Sequence, residues 1–350
     1  MAETEIDVTG NSLPSTPSPQ PAPSEQEVAS SEDKPTSDSK PIYQARKVDL
    51  TEKVRDLDTD ALLDVIVSQQ PTDLLPWEEV VLPSKGVYYG DAVPGGVVRV
   101  RAMGTYADKI LATQRLAQSG QSIDYLFQHC VQFPGDFSPL DLLAGDRVFL
   151  LYVLRGITHD NNYEFMMKCP HCEATNSYAY DLNNLASTVT GPDPSIGDEP
   201  FRVDLPYMSA MTGREIFVNV RFLRGRDITA MGQRQRFVKK IAPGKVTNSG
   251  KPQPRGQRAV TQVDDTLVQN LNMLILGFCG KQVDPDKIAA LVERMHSQDT
   301  ATIREFIKNK SPGIDTTVEF QCKDCDGQIR TELPITESFF RPTNARTNRS

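Results

Sequence analysis

The first helical periodicity in the chain falls in Asp60–Gln69 (DALLDVIVSQ). Leu62, Leu63, Ile66 and Val67 share one side of a helix there, with Asp58 or Thr59 placed to cap it and Pro71 to stop it. From Leu75 to Met103 the pattern changes: short apolar runs alternate with Pro and Gly in LPWEEVVLPSKGVYYGDAVPGGVVRVRAM, which predicts strands and hairpins. Helical spacing returns over 105–118, 121–132 and 138–155. The last stretch holds Val148-Phe149-Leu150-Leu151-Tyr152-Val153-Leu154, as apolar as a buried helix, with Gly156 placed as its C-terminal cap. Tyr163–Met167 then leads into Cys169-Pro170-His171-Cys172, and Tyr178-Ala179-Tyr180 predicts a returning strand.

The second half of the chain repeats this order. Ile216–Leu223 (IFVNVRFL) parallels Val97–Met103 (VVRVRAM), and Arg226–Lys240 has helical spacing like the stretch after Met103. Leu267–Gly280 parallels Ile123–Val131, which aligns Cys279 with Cys130, and both cysteines then sit as core thiols on helices. Asp284-Pro285-Asp286 begins a helix as Ser138-Pro139-Leu140 does. Thr317–Cys322 parallels Glu164–Cys169. The expected fold is α+β: two duplicated halves of helices plus short antiparallel strands, 75–187 and 198–340, each ending in a CxxC pair. Residues 42–74 form an N-terminal helical segment, 188–197 a linker, and 341–350 a C-terminal tail. The competing reading is that two α+β stretches resemble each other by chance.

Charge divides the chain differently. The net charge is −8, but residues 1–41 hold eight acidic and two basic side chains, so the rest is close to neutral. The same segment holds seven prolines and no aromatic residue. It cannot bury enough apolar surface to offset its ordering entropy, so a disordered acidic, Pro/Ser-rich tail is expected. No apolar run reaches the length of a membrane helix, and MAETEIDVTG lacks the basic and apolar regions of a secretory signal.

Four of the six cysteines form the pairs Cys169/Cys172 and Cys322/Cys325. A redox CxxC opens a helix, whose N-terminus stabilises the thiolate. Here Glu-Ala-Thr-Asn-Ser-Tyr follows one pair and Asp-Gly-Gln-Ile-Arg-Thr the other, and both sequences suit a tight turn into a strand. A strand–CxxC–strand unit is a zinc knuckle. Two knuckles complete a tetrahedral four-thiolate shell with no open position, so one structural zinc ion is expected. Ordinary reduced cysteines, or a redox pair, are the competing readings. His171 lies between two ligands and is read as a loop residue.

No nucleotide-binding loop or nucleophile elbow is present, and histidines at 129, 159, 171 and 296 give no metal or triad spacing. No catalytic site is expected. Gly225-Arg226-Asp227 is read as a helix cap through Asp227. From Arg221 to Arg258 there are eleven Lys/Arg and one acid, and the insertion 241–263, which overlaps this stretch, has the composition of a mobile basic loop. Such a cluster can contact nucleic-acid phosphates or an acidic protein surface. With few aromatics for base stacking, protein contact is favoured, through Arg234, Arg236, Lys239 and Lys240 where the helix enters the loop. The apolar segment around Phe339-Phe340 is the second candidate surface.

LPSKGVYY, VRVRAMGTYADKIL, SGQSIDYLFQHCV, LLAGDRVFLLYVLRGI and YEFMMKCPHC, with CKDCDGQIRTELPITESFFRP near the C-terminus, together resemble the baseplate-protein family of T-even-like contractile-tailed bacteriophages. The likeness covers about 75–340 and is strongest in Ala107–Cys172. It implies a baseplate hub component or hub-assembly factor that binds other tail and baseplate proteins, in the virion tail or in the host cytoplasm during assembly. It implies no catalytic residues, no small-molecule substrate and no membrane. The alternative is a zinc-ribbon nucleic-acid-binding protein using Arg221–Arg258.

Overall fold

The computed structural model describes residues 58–68, 75–241, 266–335 and 337–340. The predicted tails 1–41 and 341–350, and the basic loop beyond Ile241, lie outside the described residues. Helix α1 (Thr59–Ser68) forms where the periodicity places it, and Asp58 caps it by accepting from the Ala61 N–H at 2.8 Å.

Strands β1 (Glu78–Val81) and β2 (Val97–Val100) pair antiparallel, with Val80 opposite Val98 on the buried side. Two 3₁₀ turns, Val87–Ala92 and Pro94–Gly96, replace a tight hairpin between them. Gly86 and Gly96 make this possible. Both have positive φ, and a Cβ on Gly86 would lie 2.1 Å from the Val93 carbonyl oxygen. Helices α2 (Thr105–Ala112), α3 (Gln114–Ser119) and α4 (Ser122–Cys130) follow, and β3 (Val131–Gln132) returns to β2. The helix expected over 121–132 therefore stops at Cys130, because Val131 and Gln132 pair with Val100 and Arg99.

Ser138 caps only a 3₁₀ turn, Pro139–Asp141, so the third helix starts later than its sequence pattern suggests. Helix α5 (Ala144–Thr158) buries Phe149 through Leu154. Gly156 is inside α5 and not its cap; its bare Cα faces Asn161, whose Oδ1 a Cβ would approach to 2.8 Å. A long hairpin, β4 (Asn162–Lys168) and β5 (Thr175–Asp181), completes this half, and β6 (Val189–Thr190) follows.

The second half runs β7 (Phe201–Asp204), α6 (Pro206–Thr212), β8 (Phe217–Val220), α7 (Gly225–Ile241), α8 (Thr266–Leu274), β9 (Ile275–Phe278) and β10 (Lys281–Gln282), with sheet order β10-β9-β8-β7. The stretch Leu267–Gly280 is not one helix. It breaks at Leu274 because Ile275 pairs with Val220, and Cys279 turns with φ 47° into β10. Helices α9 (Pro285–Glu293), capped by Asp284, and α10 (Ser297–Lys310) lead to β11 (Gly313–Ile314). The hairpin β12 (Thr317–Gln321)/β13 (Gln328–Glu332) and the short α11 (Glu337–Phe340) end the described chain.

In each half a central strand takes the same bond from the end of the helical segment: Arg101 N–H donates to the Cys130 carbonyl and Arg221 N–H to that of Leu274, both at 2.9 Å. The carbonyl that accepts from Arg221 is that of Leu274 and not of Cys279, the residue that the sequence pattern sets against Cys130. The predicted linker 188–197 is not a free connection either, since β6 pairs with β11 and Asp193 accepts from Lys310 at 2.6 Å.

One core runs through both halves. Leu126, Phe127, Leu150 and Leu154 belong to it, as do Val218, Val220 and Phe222. Tyr88 sits edge-on to Phe201 and Phe222, with centroids 5.8 and 5.2 Å away. Backbone bonds also cross: Ala144 N–H to Leu223 O and Gly225 N–H to Leu142 O, both 2.8 Å. Phe339 and Phe340 are buried, Phe339 edge-on to Tyr152 and Tyr163, so this segment is core and not a binding surface. Among the described residues no helix is long and apolar enough to cross a membrane.

Candidate metal centre

The two CxxC turns are built alike. At the end of β4, Cys169 N–H donates to Ala174 O at 2.8 Å and Glu173 N–H to Cys169 O at 3.0 Å. At the end of β12, Cys322 N–H donates to Gly327 O at 2.9 Å and Asp326 N–H to Cys322 O at 3.1 Å. In each, the residue after the second cysteine takes a left-handed conformation, Glu173 at φ 62° and Asp326 at φ 55°. That kink returns the chain into the next strand and leaves both sulfurs at the hairpin tip. Neither pair opens a helix.

The hairpins lie side by side because their inward residues are aromatic. Phe320 packs on Phe165 and Tyr178, with centroids 5.5 and 5.1 Å away. Strand alternation then brings the tips together, and the four sulfurs of Cys169, Cys172, Cys322 and Cys325 all lie within 4.8 Å of one another. Two of the contacts cross between hairpins, Cys169 to Cys325 at 3.8 Å and Cys172 to Cys322 at 3.7 Å. A tetrahedron with metal–sulfur bonds of about 2.3 Å has edges of about 3.8 Å, so the cluster has the size of a four-thiolate shell. Cys169 and Cys322 are buried, Cys172 and Cys325 exposed, and none is in a disulfide.

The surrounding donors favour negative charge. Backbone N–H groups of Asp324 and Cys325 hold the Cys322 thiol down to about 6. The His171 N–H points at Cys169 Sγ (3.4 Å), and Asn176 Nδ2 donates to Cys322 Sγ at 3.6 Å and to Asp324 Oδ2 at 2.8 Å. At Cys325 the Gly327 N–H also pulls down, but the Cys172 and Cys322 sulfurs beside it push the thiol up to about 12. Four sulfurs this close cannot all ionise without a cation among them, and a divalent metal would supply that charge. His171 is not among the residues whose ligand atoms gather in the cluster, and its Nε2 lies 3.1 Å from Gln328 O. Asn176 had no cue in the sequence; only the pairing of β4 with β5 and the approach of the second hairpin bring it to a sulfur.

The basic stretch looks different in three dimensions. Asp227 does cap α7, accepting from the Arg224 N–H at 2.9 Å, and it also takes the Arg221 guanidinium at 2.7 and 2.8 Å. Arg224 pairs with Glu199 at 2.6 Å and Arg226 with Asp141. A cavity of about 260 Å³ lies among Asp141, Arg221, Arg224 and Arg226, with each guanidinium already matched by a carboxylate. Arg234, Arg236, Lys239 and Lys240 belong to α7, and their side chains lie outside the described residues. Cys130 is a buried core thiol, pushed up to about 11 by burial, whereas Cys279 is half-buried in the β9–β10 turn and not on a helix.

No family model matches the chain, and neither does any curated protein or solved structure.

Proposed function

We propose that this protein is a baseplate hub component or hub-assembly factor of a contractile-tailed bacteriophage, acting by binding other tail proteins and held together by one structural zinc ion. The wording of Ala107–Cys172 supports the role. The observation that carries the scaffold reading is the cluster of four thiols, two from each half of the chain, at tetrahedral spacing. A four-thiolate shell leaves no coordination position for a reacting group, so the metal is structural. The apparent free energy of zinc binding in zinc-finger peptides is on the order of 10–16 kcal/mol, enough to fasten two hairpins that are far apart in sequence.

On this reading the halves descend from one ancestral unit. Support comes from their shared element order, the matching bonds of Arg101 and Arg221, and the two knuckles with the same pair of backbone bonds. The nucleic-acid alternative draws less support, because Arg221, Arg224 and Arg226 are already paired with carboxylates. The test is mass spectrometry of purified particles and of tail-assembly intermediates, with gold-labelled antibody to locate the chain. The hub reading expects it at the baseplate end or in intermediates with tail proteins. Absence from both, alongside a salt-sensitive nucleic-acid gel shift, would replace it with the alternative.

A further inference from the structure

The outer face of the β1–β2–β3 sheet and the adjoining helices carry an ordered aromatic strip. Across β1 and β2, Val81 stands opposite Val97 and Glu79 opposite Arg99. One step further, the Arg101 guanidinium lies over Trp77, the chain's single tryptophan, 4.7 Å from the ring centroid. Arg101 also donates to the His129 carbonyl through Nε (3.1 Å) and Nη2 (2.8 Å). The His129 ring packs on Tyr106, with centroids 4.7 Å apart, and Tyr125 lies one turn earlier on α4. Tyr106 is 60% exposed and Tyr125 44%. Tryptophan, tyrosine and arginine are the residues that dominate binding energy at protein interfaces, and here they lie on one exposed or half-exposed face.

The charges decide what such a strip accepts. Arg99 is paired with Glu79 at 3.2 Å. Arg101 has no carboxylate within ion-pair distance among the described residues. Arg221, at the same place in the second sheet, is neutralised by Asp227, the third residue of the following helix; the third residue of α2 is the buried Ala107. Among the described residues, the first half thus keeps an oriented guanidinium without the acid that Arg221 has.

We propose that this strip docks a segment of a partner protein that brings a carboxylate to Arg101 and an apolar side chain to Tyr106 and Tyr125. This deepens the protein-binding role proposed above by naming the surface and the partner's chemistry. Single-stranded nucleic acid fits less well. Arg101 and His129 already take one face of the Trp77 and Tyr106 rings, one unmatched cation adds little phosphate affinity, and Glu79 lies on the same face.

The test uses the full-length chain in the cells that naturally make it, with p-benzoylphenylalanine in place of Tyr125 as a photo-crosslinker and, as a control, in place of the exposed Tyr207 of the second half. The expected product is an adduct to a protein, mapping to a segment with Asp or Glu beside an apolar residue. Arg101→Glu should lower its yield by about tenfold or more, and reversing the partner's acid to Arg should restore it. Tyr106→Ala removes an exposed ring with little risk to folding and should lower the yield with an unchanged melting midpoint. The proposal is overturned by an adduct to nucleic acid or to another copy of this chain, by none above the Tyr207 control, or by a yield indifferent to both variants. An adduct to a protein outside any viral tail would support the docking site and overturn the hub reading; an adduct to a tail protein would support both.

Discussion

Breaking the candidate metal centre from either half is the most discriminating perturbation. If one zinc bridges the two hairpins, Cys169→Ser and Cys322→Ser damage the same tetrahedron, and the second substitution has nothing left to remove. Free zinc at about 1,000 times its dissociation constant stabilises the folded state by about 4 kcal/mol. At about 2–4 °C per kcal/mol for a domain of 150–250 residues, chelation should lower the melting midpoint by roughly 8–16 °C. The hairpins should not separate completely, because Phe320 still packs on Phe165 and Tyr178 without the metal. The assay is metal analysis of the purified protein, with thermal melts of wild type, both single variants and the double variant, each with and without chelator. We expect one zinc per chain, equal losses in the two single variants, a double variant no worse than either, and no chelator effect once a cysteine is gone. A metal ratio near two, additive losses, or one harmless substitution would refute a shared site. So would a folded, metal-free wild type that chelator leaves unchanged.

Three further outcomes are expected. Phe339→Ala should cost about 3–5 kcal/mol in urea unfolding because its ring is fully buried between Tyr152 and Tyr163, whereas Met166→Ala, 72% exposed, should stay within about 0.5 kcal/mol; equal midpoints would contradict the buried docking of α11. Gly145→Ala should cost about 1–3 kcal/mol, since a Cβ there would lie 2.0 Å from the Pro312 carbonyl oxygen, and an unchanged midpoint would deny that α5 and β11 approach so closely. Burial holds the Asp146 carboxyl above its ordinary 3.8, against the lowering bonds from the Ser84 hydroxyl, the Tyr89 hydroxyl (each 2.5 Å) and the Ser84 N–H. The native state then binds this proton more tightly than the unfolded chain, so stability should fall as pH rises from 3.8 through the folded value and level off above it. Asp146→Asn should flatten that slope in denaturation midpoints measured across the acid range, and identical slopes would assign the proton elsewhere.

The sequence by itself determined what depends on near neighbours. Apolar spacing marked α1, the body of α5 and the hairpins around each CxxC, because amphipathic periodicity records which face of an element meets a core. The turn-and-strand context after Cys172 and Cys325 was enough to read a hairpin around each pair, and the cap at Asp227, with Asp58 or Thr59 before α1, followed from short-range hydrogen bonding. Tertiary structure decided where an apolar stretch changes state. Val131 and Ile275 look helical in their windows, yet each pairs with a central strand distant in sequence. It also decided that Phe339 and Phe340 are core, because an exposed and a buried aromatic have the same local sequence. The sharpest case is electrostatic. Arg221 and Arg101 follow similar strand sequences, but one faces Asp227 and the other Trp77, and only the packed chain fixes which of the two has a carboxylate beside it among the described residues. Ion pairs and metal shells are set by distances of a few ångströms between segments distant along the chain, and a one-dimensional pattern does not encode those distances.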